Sequence, residues 1–477
     1  MQLKEGNQEG FGDMKKKNTA AAKIGGFLER QFGSSMFTSK EFFKILGPVI
    51  LDQFFVYFIS MVTVSMVSAS SQDSVSAVSL VNPIIFLAMA LFGAVASGGT
   101  VVVAQYKGKN DPEKVRQAAG QATLATFIVA LIVGLCCFFF AEPIILWLFG
   151  SAEEAVKAKC VEFLSGMGLS MIPFAFYSAT FAALRGVGAS KTCLWLTIII
   201  NVVHFLLSIL LLNILHLDIF GTVLSYILAR FIGGMIALYL LMTKHGVMQV
   251  RLRDILKVKP KLMITIARMG IPVAMEQAFY NGGNIIVQSY LVQLGGIAVA
   301  ANAIASSAFS LIYACGFAVS TVSLTIVGQC IGAGEVALAR RYGSRMEWLG
   351  NTICTLSVVI LMPLMPLLLS LYAPQSETLP TIYQVMWIGC AFMPFVWSGA
   401  NVMPNTLRAA GDATYTSVTS LVCMWAVRVF SGYALAIWCG LGIYGVWISM
   451  GLEWLVKTIA FRIRFRGDAW CSKKVVE

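Results

Sequence analysis

The dominant pattern along the chain is a succession of long apolar segments separated by short polar loops. Each segment is about as long as a helix needs to cross roughly 30 Å of hydrocarbon. Runs of this length exceed ordinary core helices, and the alternating pattern of a transmembrane β-barrel is absent. The pattern therefore predicts an all-α membrane protein with twelve transmembrane helices. They are placed at 44–69, 78–104, 117–140, 161–184, 192–215, 221–242, 266–291, 297–327, 348–371, 381–406, 414–437 and 442–463.

The loops between these segments alternate in charge. One set has no Lys or Arg except Lys157 and Lys159, which Glu153 and Glu154 offset. The other set is basic, and the positive-inside rule places it in the cytoplasm. Its basic residues are Lys107, Lys109, Lys114, Arg116, Arg185, Lys191, those from Lys244 to Arg268, Arg340, Arg341, Arg345 and Arg408. Both termini fall on the same side, as twelve spans require.

The chain also repeats itself at an offset of 224 residues. Pro48 and Asp52 correspond to Pro272 and Glu276, and "LRGVGAS" at 184–190 corresponds to "LRAAGDA" at 407–413 with an offset of 223. Six helices per repeat bring both halves in from the cytoplasm, so the repeats are parallel, an arrangement found in transporters. The repeated turns at 105–108 and 329–332, which contain Gln and Gly, are expected to shape tight cytoplasmic loops.

This repeat defines the expected domain organisation. Residues 1–42 form a polar cytoplasmic tail, since "KKKN" at 15–18 lies in no apolar signal sequence. Residues 43–242 form the first six-helix lobe and residues 266–463 the second. A basic linker at 243–265 joins them, and residues 464–477 form a second cytoplasmic tail.

Four charged residues inside the apolar segments are candidates for cation coupling, because ionised groups in a bilayer are costly and default to a functional hypothesis. Asp52 and Glu276 lie about one turn inside the cytoplasmic boundary. They either form a symmetric gate or are solvated, capping a helix or pairing with a nearby Lys44 or Arg268. Arg428 and Glu453 fall at similar depth on adjacent helices and are predicted to pair. This pair is either structural or the place where Glu453 releases its partner and binds H⁺ or Na⁺.

Arg230 and Lys457 are the remaining deep cations. Each needs water or a partner, unless its side chain extends to the membrane surface, which we expect for Lys457. Polar neutral side chains in the spans either join helices by hydrogen bonds or line a cleft. The candidates for a cleft are Gln53, Thr63, Asn201, His204, Gln277, Asn281, Asn284 and Asn302.

Composition removes several other classes of protein. Of 477 residues, 58% are hydrophobic and only 12% are charged, about half the charged share of a soluble protein. The net charge of +12 resides in particular loops, which argues against nucleic acid. The eleven cysteines lack metal-ligand spacing, the three histidines form no catalytic cluster, and no phosphate-binding loop pattern occurs. We therefore expect neither an enzyme nor a cofactor or certain metal site.

Several motifs, in order, resemble the multidrug and toxic compound extrusion (MATE) family, particularly a bacterial branch typical of Firmicutes. They are "PVILDQ", "VSAVSLV", "ASGGTVVVAQYKGKND", "ALRGVGAS", "MWAVRVF" and "YGVWISMGLEWLVK", and the resemblance covers residues 43 to 466. It implies a plasma-membrane antiporter that exports amphipathic, often cationic, compounds through a V-shaped cleft, driven by H⁺ or Na⁺. The expected partners are small substrates and membrane lipid, with the protein acting as a monomer.

One position departs from the family pattern. Many members carry an aspartate midway along the first helix for cation coupling, and Thr63 stands there in this chain. Coupling is therefore lost, moved or rebuilt around Asp52, or based at Glu453, where Na⁺ is a possible ligand. The alternative function is a flippase or exporter of a specific lipid-linked or anionic metabolite. Such proteins tend to line the cleft with several cationic residues, and the presence of only Arg230 and Arg428 as candidates for that role argues against it.

Overall fold

The protein is built from helices, as the apolar pattern predicts. The computed structural model describes residues 26, 28–67, 72–150, 153–243, 246, 248–370, 376–471, 473 and 475–476. Of residues 57–67, 72–73, 75–76 and 368 it describes the backbone alone. Within these ranges no strand occurs, and long helices account for most of the chain.

Twelve helices of at least 25 residues lie within the described ranges. In chain order they are α1 (Ser39–Val67), α2 (Gln72–Gly108), α3 (Pro112–Phe139), α4 (Glu154–Val187), α5 (Ser190–Ile214), α6 (Asp218–Met242), α7 (Pro260–Gln293), α8 (Gly296–Gly332), α9 (Val336–Leu361), α10 (Leu379–Ala409), α11 (Ala413–Trp438) and α12 (Gly442–Arg466). Short helical segments among the described residues accompany them at 28–32, Ala141–Phe149, Leu252–Leu256 and Met365–Ser370.

Each predicted span falls on one of these helices, but most of the helices are longer than the spans. Polar turns continue the helix beyond the apolar part, as where α9 begins at Val336 rather than at the expected 348. That helix then ends at Leu361, and a turn containing Pro363 separates it from Met365–Ser370. Proline lacks an amide hydrogen and its ring clashes with the preceding turn, which explains the break.

Eight of the twelve helices are long and apolar enough to cross a membrane on length and composition alone. They are α2 to α6, α8, α10 and α11. The other four, α1, α7, α9 and α12, each carry several charged residues. The expectation of an all-α fold is therefore confirmed for the described residues, with eight helices that suit a membrane by length and composition.

The two halves of the chain, α1–α6 and α7–α12, exchange contacts in a matched way. Helix α1 packs against α5 of its own half and α8 of the other, and α7 packs against α11 and α2. Each half's first helix thus lies against the second helix of the opposite half. The repeat read from the sequence is therefore also a repeat of contacts.

Helices α2 and α8 cross where each ends. A Cβ at Gly108 would overlap the carbonyl oxygen of Gln329, and one at Gly332 would overlap that of Gln105. The buried Gln105 side chain donates to the carbonyl of Ala409 at 2.8 Å, and Gln329 donates to that of Gly186 at 2.9 Å. The repeated Gln and Gly residues therefore join the halves, rather than only shaping loops.

The segments outside the predicted spans also fold against the helices. Phe32 and Phe42 are buried and stack at 4.6 Å, and the Tyr342 hydroxyl donates to the Phe32 carbonyl at 2.7 Å. At the other end Trp470 is buried against Phe465. Both segments expected to be polar cytoplasmic tails, 1–42 and 464–477, thus contain ordered contacts.

The short helix Leu252–Leu256 of the expected linker docks on α3. Gln121 donates from its amide to the carbonyls of Asp254 at 2.8 Å and Lys257 at 2.9 Å, and Arg116 pairs with Asp254 at 2.8 Å. These contacts hold the connection between the halves against the first half.

The crossing generates a matched pair of variants within α2. Gly108→Ala places a methyl group against the Gln329 carbonyl, whereas Gly93→Ala has nothing within 4 Å of its Cβ. We expect Gly108→Ala to destabilise the protein by about 1–3 kcal/mol, as overpacking does. Gly93→Ala should be neutral or slightly stabilising, since alanine favours helix by up to about 1 kcal/mol.

The measurement is the thermal unfolding midpoint of each purified variant in the same detergent. Equal midpoints for Gly108→Ala and Gly93→Ala would contradict the close crossing.

Candidate transport sites

The first-half carboxylate, Asp52, lies on α1 four residues after Pro48 and is 2% exposed. Its Oδ2 accepts from Arg185 Nη2 at 3.0 Å and from the Gln53 amide at 3.3 Å. Arg185 belongs to the last turn of α4, and its guanidinium lies 4.1 Å from the centre of the Phe181 ring. Asp52 is therefore a buried, paired group rather than a solvated one.

The second half repeats this arrangement. Glu276 on α7 pairs with Arg408 near the end of α10, and the side chains are 12% and 13% exposed. Arg408 also donates to Asn405 Oδ1 at 3.2 Å and Thr416 Oγ1 at 3.1 Å. The expectation that Lys44 or Arg268 would be the partner of these carboxylates is wrong, because the arginine comes from a distant helix end.

The repeated motif already contained the signal for these partners. Arg185 and Arg408 occupy the same place in "LRGVGAS" and "LRAAGDA". A repeated acid and a repeated base at nearly one offset indicate a repeated ion pair.

A deeper cluster lies in the second half around Glu453, which is 1% exposed. Its Oε2 accepts from Arg428 Nη1 at 3.2 Å, and its Oε1 accepts from Lys457 Nζ at 2.5 Å. The predicted contact between Arg428 and Glu453 is therefore present. The expectation that Lys457 extends to the membrane surface is wrong, since a carboxylate one helical turn away gives it a buried partner.

Three helices meet at this cluster. Arg428 lies in a π-helical stretch of α11, Cys423–Val429, and also donates to the Tyr280 hydroxyl of α7 at 3.1 Å. Glu453 and Lys457 belong to α12. One carboxylate balances two cations, so the cluster retains one net positive charge.

The matching positions of the first half differ. At an offset of 224, Arg428 corresponds to His204, Glu453 to Ala229 and Lys457 to Gly233. Arg230 stands beside them on α6, where the second half has Trp454. It is 6% exposed and lies between the rings of Phe174 and Tyr226, at 4.8 and 5.0 Å from their centres.

A cavity of about 290 Å³ opens beside these groups. Among the predicted cleft residues, Gln53, Asn201 and His204 line it, together with Asp52 and Arg230. Asn201 uses its amide to donate to the Thr197 carbonyl at 2.8 Å. Asp52 Oδ1 is buried there with no hydrogen-bond partner among the described residues.

The second half has a smaller cavity of about 130 Å³. Asn284, Gln288, Asn302 and Arg428 line it, and Asn302 accepts from the Trp447 indole at 3.1 Å. Of the other candidates, Asn281 donates to the carbonyl of Gln277 at 2.9 Å, and neither lines the cavities described above.

Two further expectations concern the cation-coupling position at Thr63 and a metal site. The side chain of Thr63 lies outside the described residues. In the part of the chain that is described, no three His, Cys, Asp or Glu side chains come together in a group that could hold a metal ion.

Comparison with known proteins decides the family. The family model MatE matches residues 48–210 and 272–434, and the second match begins 224 residues after the first. The chain belongs to the MatE (MATE) family. It is therefore a multi-pass membrane transporter of the multidrug-resistance type, and not an enzyme.

Other MATE-family proteins are similar over nearly the whole chain. An uncharacterized transporter of Bacillus subtilis, YisQ, is 24% identical over 90% of this chain and 95% of its own length. A probable multidrug resistance protein of the same species, YoeA, is 25% identical over 79% and 82%. The probable multidrug resistance protein NorM of Thermotoga maritima is 21% identical over 92% and 94%.

Solved structures share the fold. An outward-facing multidrug resistance MATE transporter superposes with a TM-score of 0.81 at 18% identity, covering 90% of this chain and 96% of its own. A MOP superfamily transporter from Pyrococcus furiosus, described as having a binding pocket of reverse polarity, gives 0.81 at 18% identity over 91% and 97%.

The charge balance around Glu453 gives a stability test. Glu453→Gln leaves Arg428 and Lys457 buried together without a counter-charge, so we expect a loss of about 3–5 kcal/mol in the free energy of unfolding. Adding Lys457→Met to it returns the cluster to one net positive charge and should recover a substantial part of that loss.

Unfolding midpoints of the two single variants and the double variant form a thermodynamic cycle. The expected coupling is large and favourable to the double variant. Additive losses from Glu453→Gln and Lys457→Met would show that the three charges do not act together.

Proposed function

We propose that this MATE protein is a secondary exporter with twelve transmembrane helices in two parallel six-helix lobes. It would carry amphipathic drugs or toxic metabolites out of the cell in exchange for H⁺ or Na⁺. In this proposal both termini are cytoplasmic and the lobes rock to open a V-shaped cleft on one side at a time. The contacts between helix ends at Gly108 and Gly332 support a state in which the cytoplasmic side is closed.

The observation that carries the coupling proposal is the position of Glu453. Among the described residues it is the one carboxylate that pairs with Arg428 and Lys457, and Arg428 also donates to the Tyr280 hydroxyl. Three helices of the second lobe are therefore joined through one carboxylate. A proton or Na⁺ on Glu453 would release both cations at once, and such a local charge change can bias a two-state element.

In this proposal Asp52 and Glu276 have a structural role and do not couple transport to the ion. Each is held by one arginine in the same place of each repeat, as expected for a feature that both lobes need equally. Coupling to one ion requires no such duplication. We therefore assign coupling to the second lobe, where Glu453 has no first-lobe counterpart.

A second candidate function is a flippase or exporter of a specific anionic metabolite. The observation that favours it is the excess of deep cations, Arg230, Arg428 and Lys457 against the single carboxylate of Glu453. Clefts that carry phosphates or carboxylates use such cations.

The test is transport of a fluorescent cationic dye by purified protein in liposomes under a pH gradient or, separately, a Na⁺ gradient. Native protein and the exposed-site control Glu113→Gln should move dye. The double variant Glu453→Gln with Lys457→Met, which keeps the cluster's net charge, should lose gradient-driven movement by at least about tenfold.

Other outcomes separate the alternatives. Driven movement retained in the double variant but lost in Asp52→Asn would transfer coupling to the first lobe. No dye movement by native protein, beside a working control transporter, would overturn dye export and favour the anionic-metabolite exporter.

A further inference from the structure

We propose that the first-half cavity binds an aromatic monoanion, a single-ring carboxylate or sulfonate, with Arg230 as its counter-charge. This inference rests on the proposed exporter function and deepens it by naming the class of compound that this lobe holds.

Arg230 supplies a charge that nothing nearby balances. Arg230 is buried, with only 6% of its surface exposed. Even so, no carboxylate among the described residues lies within 4.0 Å of it. Asp52 and Arg185 line the same cavity and pair through Asp52 Oδ2, so their charges balance each other and leave Arg230 as the net positive charge of the lining. A buried cation without a partner is costly, so an anion that enters the cavity gains the attraction of a full charge at low dielectric.

The guanidinium also has a donor to offer. Its Nη1 donates to Ser170 Oγ at 2.6 Å, which is a strong acceptor. Its Nη2 faces only the Met89 sulfur at 3.6 Å, and a thioether is a weak acceptor. Ser170 and Met89 do not line the cavity, but a guanidinium carries five N–H donors and these are its two hydrogen-bond contacts among the described residues, so donors remain for a carboxylate or sulfonate oxygen in the cavity.

The rest of the cavity suits a ring. Phe174, Tyr177, Phe181 and Tyr226 line it, and its volume of about 290 Å³ is at the small end of ligand pockets. Phe174 and Tyr226 hold Arg230 in place from two sides, which orients the donor before a ligand arrives. Partly exposed Gln53 and Asn201 and exposed Val56 lie on the lining, so the cavity is not sealed.

A cation fits this place less well. The faces of Phe174 and Tyr226, which would attract a quaternary amine, already contact the guanidinium. In the second half, Arg428 is paired with Glu453 and its cavity measures only about 130 Å³. The first half is therefore the half suited to an anion.

The experiment is calorimetric titration of the full chain in detergent, without any gradient, with two probes of matched shape. The probes are 4-isopropylbenzoate and its planar cationic isostere, 4-isopropylbenzamidinium. We expect the acid to bind at least about tenfold more tightly than the cation, and Arg230→Gln to remove that preference. Arg466→Gln, an exposed arginine on the same scaffold, is the matched control and should bind the acid like native protein.

Each outcome decides the point. Equal binding of both probes, tighter binding of the cation, or undiminished acid binding by a folded Arg230→Gln would overturn the site. If Arg230→Gln does not fold, the comparison of the probes on native protein and on Phe174→Leu, which removes one ring, still decides it. Acid binding that depends on Arg230, without gradient-driven transport in liposomes, would retain the site and overturn the exporter function instead.

Discussion

The cost of placing a charge in hydrocarbon governs the arrangement of this transporter. Asp52 and Glu276 can lie on the first helix of each half only because Arg185 and Arg408 reach them from the ends of α4 and α10. The chain segments that carry these two arginines also contact the opposite half. The Arg185 carbonyl accepts from Thr325 at 3.0 Å, the next carbonyl accepts from Gln329, and the carbonyl after Arg408 accepts from Gln105. Each ion pair thus fixes the helix end on which the other half closes.

Much of this could be read from the sequence, because it follows from length, hydropathy and repetition. The twelve long helices, their order, the offset of 224 and the contact between Arg428 and Glu453 follow from features visible within one or two segments. The helix ends are harder to predict from the sequence, because polar turns such as Val336 to Trp348 extend a helix without any apolar signal. Distance along the chain points to Lys44 and Arg268 as partners of the two carboxylates, whereas the repeat points to Arg185 and Arg408, which the structure shows.

Other features depend on packing between distant elements and leave no local pattern. Tyr226 lies one turn before Arg230 on α6, but nothing near Arg230 in sequence indicates that Phe174 and Ser170 of α4 also contact it. The same holds for Trp470 and Phe32, which lie in polar stretches but are buried against the second half. Gln105 and Gln329 are a related case. Within each half alone they look like turn residues, and their bonds to the opposite half become visible only when the two halves are packed together.

In the proposed cycle, features that both halves share have a structural role, and features that one half alone carries bind the ligand or the coupling ion. The paired features, namely the two ion pairs and the crossing glutamines, are equal in both halves and form the frame that must open and close. The features without a counterpart in the other half are Arg230 in the first half and the Glu453 cluster in the second. Tyr280 bonds to Arg428 and belongs to α7, and α7 packs against α2, which ends at Gly108. A change of charge at Glu453 therefore has a continuous packed route to the crossing, and a ligand at Arg230 has a shorter one, since the Arg230 guanidinium contacts Met89 of α2 at 3.6 Å.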